Sequence, residues 1–262
     1  MSLVFGAATS DRVNCGSGAS LDNLTAFTWL VWVYVTTITS GRTIMNKAGT
    51  GVKNVRLISG GGDPLNTLDV LVSRATASAS TVGSADDVVP NTWQCFGVTY
   101  DETDGVRIFK GSLTSALVEV TYSFRDVGSG ATTADDTGSL ILGNNAAFTL
   151  ALQGRLAVVS VIPNRLTLAQ LRAWQFRPRS SVDSTINASR LFMHLGLVGT
   201  GTQPDWSGTG NTGAVTGATL GAHVPLGPPF AFRSQGRGTF AAAAAGASVV
   251  TPRSFGLLGV GA

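Results

Sequence analysis

Charge is scarce in this sequence, and the side chains that usually do acid, base or thiol chemistry are scarcer. Only 13% of its 262 residues are charged; it holds two glutamates (Glu102, Glu119), two histidines (His194, His223) and two cysteines (Cys15, Cys95). Two cysteines exclude a disulfide scaffold or a clustered thiolate metal site, and leave open whether Cys15 and Cys95 pair with each other. A glycosidase needs two carboxylates set across a sugar. Here Glu102 falls in the turn "DETDG" and Glu119 in a strand with no second carboxylate at alternate spacing, so no catalytic residue is assigned and an enzyme is not expected. Neither histidine has a nucleophile motif beside it, and both read as structural. No apolar run reaches 18 residues, and the opening "MSLVFGAATSDRVN" has no charged region leading into an apolar one, so neither a membrane span nor a signal peptide is expected.

The net charge of +3 is unevenly placed. Acids and bases balance up to Asp205, whereas Trp206–Ala262 carries Arg233, Arg237 and Arg253 and no acid. A nucleic-acid groove neutralises on the order of 6–10 phosphates, and three spread arginines fall short of that, so no nucleic-acid partner is expected.

What is present is glycine (33 residues), with abundant Thr, Ser and Val, the composition of short strands joined by many turns. The segment "AFTWLVWVYV" (26–35) is apolar at both alternating sets of positions, which predicts a strand covered on both faces. Further strands are predicted at 54–59, 67–74, 93–100, 105–111, 117–124, 139–143, 154–162 and 190–197, separated by turns such as Gly60-Gly61-Gly62 and Gly143-Asn144-Asn145. One segment, "PNRLTLAQLRAWQ", predicts a short helix capped by Thr167, with Leu168, Leu171 and Trp174 on one face. Past Leu226, Pro228 and Pro229 end the domain. The division is therefore 1–226 for the domain and 227–262 for an extended Gly/Ala/Pro-rich arm, which includes "TFAAAAAGASVV".

The order of these segments resembles the laminin G-like, pentraxin-like branch of the concanavalin A-like lectin and glucanase jelly rolls. Phe5, Gly6, Phe27, Thr28 and Trp32 match its early strands; Trp93, Tyr100, Asp101 and Gly111 match its central hairpin; and "LILGNNAAFTLALQGRLAVVSVIPNRLTLAQLRAW" (140–174) resembles its closing strands and helix. The segment 192–219, with its turn at Asp205–Asn211, is similar to one that usually begins such domains, so the chain order here looks rotated. The fold implied is all-β, an antiparallel two-sheet jelly-roll sandwich with one short helix and an extended C-terminal arm.

The resemblance implies two non-enzymatic roles. Such jelly rolls with Gly- and Pro-rich tails occur in bacteriophage virion proteins, as head decorations, fibres or tail components. The first expectation is therefore a virion structural protein made in the host cytoplasm, which joins copies of itself or other virion proteins through Phe230, Phe232, Arg233, Arg237, Phe240, Phe255, Leu257 and Leu258. The alternative is a lectin-like module or adhesin that meets host surface glycan through Trp206, Asp205 and Asn211. No cofactor is assigned. Calcium, which some pentraxin-like relatives bind, has Asp101, Glu102 and Asp104 as its candidate cluster, followed by Asp135 with Asp136 and Asp86 with Asp87. Lys110 stands where the family commonly has an aspartate before the glycine bend.

Overall fold

The computed structural model describes residues 1–6, 8–38, 41–58, 66–178 and 184–226. The arm residues Phe230, Phe232, Arg233, Arg237, Phe240, Phe255, Leu257 and Leu258 lie outside the described residues.

The first half of the chain forms β1 (Ser2–Gly6), β2 (Arg12–Asn14), β3 (Ala26–Val35), β4 (Thr43–Ala48), β5 (Val52–Ile58), β6 (Thr67–Val72), β7 (Ala79–Gly83) and β8 (Trp93–Asp101). There follow β9 (Gly105–Ser112), β10 (Val118–Glu119), β11 (Tyr122–Asp126), β12 (Leu140–Leu142) and β13 (Gln153–Ile162). After helices α1 (Leu168–Phe176) and α2 (Ser184–Asn187) come β14 (Leu191–His194), β15 (Ala214–Thr216) and β16 (Thr219–Gly221). They make two antiparallel eight-stranded sheets. One runs β10-β9-β8-β3-β13-β1-β16, with β14 also on β13; the other runs β11-β7-β6-β5-β4-β12-β2-β15. This is the two-sheet, all-β sandwich that the family resemblance implies; the turn-rich pattern alone predicts a sandwich or a barrel.

β3 is covered on both faces, as its double apolar pattern requires. Phe27, Trp29, Val31, Val33 and Val35 face the second sheet and join the core between the layers. Leu30 and Trp32 face the other way, into an outer cluster with Leu171 and Trp174 of α1, Ile186 of α2, Phe192 of β14 and Val224. The helix starts where predicted: Thr167 accepts from the Gln170 N–H, and the Gln170 side chain accepts from the Thr167 N–H, a reciprocal capping box.

Gln175 holds the helix to the sheet. Its side chain is fully buried; Oε1 accepts from Leu117 N–H at 2.7 Å, and Nε2 donates to Ser112 O and Ser115 O at 2.7 Å each. Its backbone carbonyl accepts from Trp32 Nε1 at 3.0 Å. Gly111 makes this possible, because a Cβ there would stand 2.7 Å from Gln175 Nε2 and 3.0 Å from Leu117 N. The glycine bend is thus a seat for the helix.

The late strands lie beside the early ones. β13 is flanked end to end by β1, at Leu156↔Leu3, and by β14, at Val159↔Met193. β15 pairs with β2 and β16 with β1. Each lateral margin is closed by one stretch of chain that crosses between sheets, β10 to β11 on one side and β15 to β16 on the other. Val120 and Ala218 are tucked into the core at the two crossings. This corrects the single strand expected over 117–124. β10 pairs with β9 in one sheet and β11 with β7 in the other, so the chain changes sheets between Glu119 and Tyr122. β4 and β7 had no apolar alternation to announce them: β4 turns Lys47 inward, and β7 is small and polar.

Replacing Gln175 by Leu leaves the buried Leu117 N–H without its partner and takes a donor from the Ser112 and Ser115 carbonyls. Each orphaned group costs about 1–3 kcal/mol. A drop of at least about 2 kcal/mol in unfolding free energy is expected, read from the urea midpoint at unchanged m-value.

Candidate functional site

The β8–β9 hairpin turn gathers charge from four segments. Asp101 Oδ1 accepts from the Thr103 and Asp104 N–H groups at 2.9 and 2.7 Å, which fixes the turn. Arg107 of β9 grips Asp104 with both ends of its guanidinium, Nε to Oδ2 at 2.6 Å and Nη2 to Oδ1 at 3.0 Å. Its Nη1 donates to both oxygens of Glu119 at 2.9 and 3.0 Å, and Tyr122 OH donates to Glu119 Oε1 at 2.7 Å. Arg125 of β11 reaches Asp104 Oδ1 at 3.0 Å. Arg165, just before α1, donates to Asp101 Oδ2 at 2.7 Å and also meets Asp104. Asp104 therefore sits among three arginines.

The electrostatics follow. The hydrogen bond from Arg107, aided by Arg125 and the charge of Arg165, holds the Asp104 carboxyl well below the usual range despite partial burial. For Asp101, burial pushes upward, but hydrogen bonds from Arg165 and from the Asp104 and Thr103 amides outweigh it and the net direction is down. Glu102 points away from both; it accepts from the Thr132 N–H at 2.6 Å, and that bond lowers its pKa. The three carboxylates expected as calcium ligands thus share a turn, but two are bound by arginine and the third by a backbone amide. Among the described residues no group of three or more His, Cys, Asp or Glu side chains is placed to hold a metal ion.

Beside this network lies an open cleft of about 430 Å³, lined by Arg107, Phe109, Glu119, Arg165, Leu166, Thr167 and Leu168. Donors, a carboxylate and a hydroxyl stand on one side of an apolar floor. Sequence reading named the acids of this site and missed the arginines. Arg107, three residues after Asp104, carried a local signal; Arg165, far along the chain, carried none.

Trp206, Asp205 and Asn211 are also brought together, in a turn laid against β14. Asp205 Oδ1 accepts from the Phe192 and Ser207 N–H groups at 3.0 and 2.9 Å, and Oδ2 from the Ser207 hydroxyl at 2.8 Å and the Asn211 N–H at 3.0 Å. Asn211, 6% exposed, donates through Nδ2 to Ser20, Arg190 and Thr209. Half-buried Trp206 packs on the outer cluster. The polar atoms of Asp205 and Asn211 brace the turn and fasten it to Phe192, Arg190 and Ser20. His194 and His223 stack at 6.2 Å beside the same cluster.

Of the other acidic pairs, Asp87 is bound by Lys110 at 3.0 Å; Asp86 accepts from Asn66 at 2.9 Å; and Asp135 is buried while Asp136 is exposed. Cys15 and Cys95 are free and buried, Cys15 in the core between the sheets and Cys95 in the outer cluster, and burial pushes both thiols up.

With these two sheets and their helix in view, the laminin G family profile of the concanavalin A-like lectin/glucanases superfamily matches residues 7–172. The chain belongs to this superfamily. The superfamily match stops short of 184–226, yet that stretch supplies three strands and part of the outer cluster. No curated protein matches the sequence significantly. Among solved structures, a Bacteroides ovatus protein assigned to carbohydrate binding matches with a TM-score of 0.60 at 19% identity, over 86% of this chain and 61% of that one. The likeness is one of fold, and this chain spans 61% of that protein's length. The heptameric SAP-like pentraxin of Limulus polyphemus follows at 0.45 and 10%, over 66% of this chain and 80% of its own. Domain 4 of the extracellular arabinanase AbnA of Geobacillus stearothermophilus, solved with arabinotriose, stands at 0.40 and 18%, over 59% and 68%.

The depressed Asp104 carboxyl makes a pH prediction. A carboxyl held below its unfolded value of 3.8 contributes stability that is complete above that value and is lost as pH falls through the folded value. The gap in urea midpoint between the wild-type chain and Asp104→Asn is expected to be full at neutral pH, to narrow once pH falls below the unfolded value of 3.8 and to close only at the folded value, well below it.

Proposed function

We propose that this chain is a non-catalytic carbohydrate-binding module whose sugar seat is the cleft between the β8–β9 turn, β10 and the start of α1. The observation that carries the reading is the cleft itself: about 430 Å³, with Arg107, Arg165, Glu119 and Thr167 set against Phe109, Leu166 and Leu168. A sugar ring presents hydroxyls at its rim and C–H groups on its faces, and such a wall offers partners for both. The paired guanidinium and carboxylate groups are pre-positioned, which lowers the ordering cost of binding. The fold likeness to the Bacteroides ovatus protein assigned to carbohydrate binding supports the same reading.

The chemistry of the site supports binding without hydrolysis. A glycosidase acid must stay protonated near neutral pH, so its pKa is raised. In this turn Asp101, Glu102 and Asp104 are all lowered by their partners. A glycan array probed with the full chain is expected to give a defined set of ligands, with binding reduced at least about tenfold in Arg107→Ala and Glu119→Gln, the loss of one charged hydrogen-bond partner. Binding lost in Trp206→Ala and kept in both cleft variants would move the seat to the Asp205 turn; no binding to any glycan would overturn the reading.

A second reading, a virion-type structural protein that associates with copies of itself, is favoured by one surface. Met1, Leu197, Val198 and Leu220 are 57%, 43%, 52% and 40% exposed, and Leu220 lies in β16, the last strand of its sheet among the described residues. In this reading residues 1–226 are the domain and 227–262 the assembly arm. A chain cut after Leu226 is expected to run as a monomer in analytical ultracentrifugation while the full chain forms an oligomer; equal mass for both sinks the arm.

A further inference from the structure

Two lysines point into the sandwich. Lys47 of β4 and Lys53 of β5 take positions where strand alternation sends side chains between the sheets, and they are 2% and 3% exposed. Each meets an aspartate. Lys47 Nζ donates to Asp22 Oδ1 at 2.7 Å and to Gly138 O at 2.6 Å. Lys53 Nζ donates to Asp135 Oδ2, on a carboxylate with no solvent exposure at all. Asp135 Oδ1 accepts from the Asn23 N–H at 2.7 Å. The two lysines share the wall of a small, partly open pocket of about 10 Å³ with Leu21, Leu24, Trp29, Leu140 and Val161, room for one water at most. The Lys53 ammonium position also lies 6.0 Å from the centre of the Phe27 ring.

A charged pair in such a place bears the desolvation cost of both ions, and passing the proton from ammonium to carboxylate removes both charges at once. Burial pushes the Lys53 amine down, against the hydrogen bond and the charge of Asp135 that favour the ammonium. The neutral pair is an amine and a carboxylic acid in contact with water shut out, the reactants of an amide. Reactants held in such contact gain effective concentrations of roughly 10⁵–10⁸ M over free ones.

We propose that Lys53 and Asp135 join in an intramolecular isopeptide bond. The Nζ lone pair adds to Cγ of protonated Asp135. Negative charge develops on Oδ1, where the Asn23 N–H already donates. The Cγ–Oδ2 bond breaks, and Oδ2 leaves as water with the carboxyl proton and one amine proton. One C–N bond forms, one C–O bond breaks, one water departs, and nothing is oxidised or reduced. The product amide keeps its carbonyl on the Asn23 N–H. It ties β5 to the segment before β12 across 82 residues, a covalent brace for a chain whose two cysteines are free.

Intact-mass spectrometry of the full-length folded protein tests this. The wild-type chain is expected to be lighter than its sequence by one water, and digestion should give a branched peptide joining the residues around 53 and 135. Lys53→Arg keeps the ion pair and should show its full sequence mass; Asp135→Asn, which keeps the shape, should lose ammonia in place of water. A wild-type mass equal to the sequence after prolonged incubation overturns the proposal. So does a lost water that persists in Lys53→Arg or maps to another residue.

Discussion

The structure depends on a strand that cannot tolerate water on either side. β3 buries Phe27, Trp29 and Val31 on one face and Leu30 and Trp32 on the other, and a single opposing sheet covers only the first set. The second face obliges the chain to bring a helix and a C-terminal segment across the outside of the sheet. Burying a large apolar side chain is worth roughly 1.5–3 kcal/mol, so the outer cluster alone outweighs many surface contacts. Helix α1, the glycine at 111 that seats it and the Gln175 amide that fastens it all answer to that one requirement. The segment after α2 answers to it as well, through Ile186, Phe192 and Val224.

That arrangement also builds the cleft. Because α1 must lie over β8 and β9, its capped start arrives beside the hairpin turn, and Arg165 is delivered to Asp101 and Asp104. The arginines lower the acids, and lowered acids suit recognition better than proton donation. The cleft thus sets paired polar groups beside apolar ones, on a scaffold of the concanavalin A-like lectin/glucanases superfamily. The polar interior around Lys53 is a separate matter. It lies between the sheets, where the same exclusion of water that stabilises the core makes an ion pair costly and its neutral form reactive.

Two features decided in sequence came through because they are local. The double apolar register of 26–35 sets a two-faced strand wherever it is placed, and Thr167 with Gln170 three residues later sets a helix start by bonds that close within one turn. The strands of 192–219 pair with β13, β2 and β1, joining the end of the chain to its start. What misled were places where one chain serves two layers. At 117–124 the apolar residues belong to opposite faces of different sheets, and at β4 a lysine fills an inward position, which no pattern of alternation announces.

By itself the sequence determined an all-β, turn-rich domain with one capped helix, and it offered only two glutamates for paired-carboxylate chemistry, because strand period, capping and residue count are properties of neighbours along the chain. Only the tertiary structure decided which acids are free to act. Asp101 and Asp104 looked like a cation cluster until Arg107, Arg125 and Arg165 arrived from other strands. Asp205 and Asn211, expected at a sugar rim, bond to Phe192, Arg190 and Ser20 as well as within their turn, and Asp135, expected beside Asp136 as a cation ligand, meets Lys53. Charge pairing acts through space, over a few ångströms between residues scores of positions apart, and no spacing along the chain encodes it.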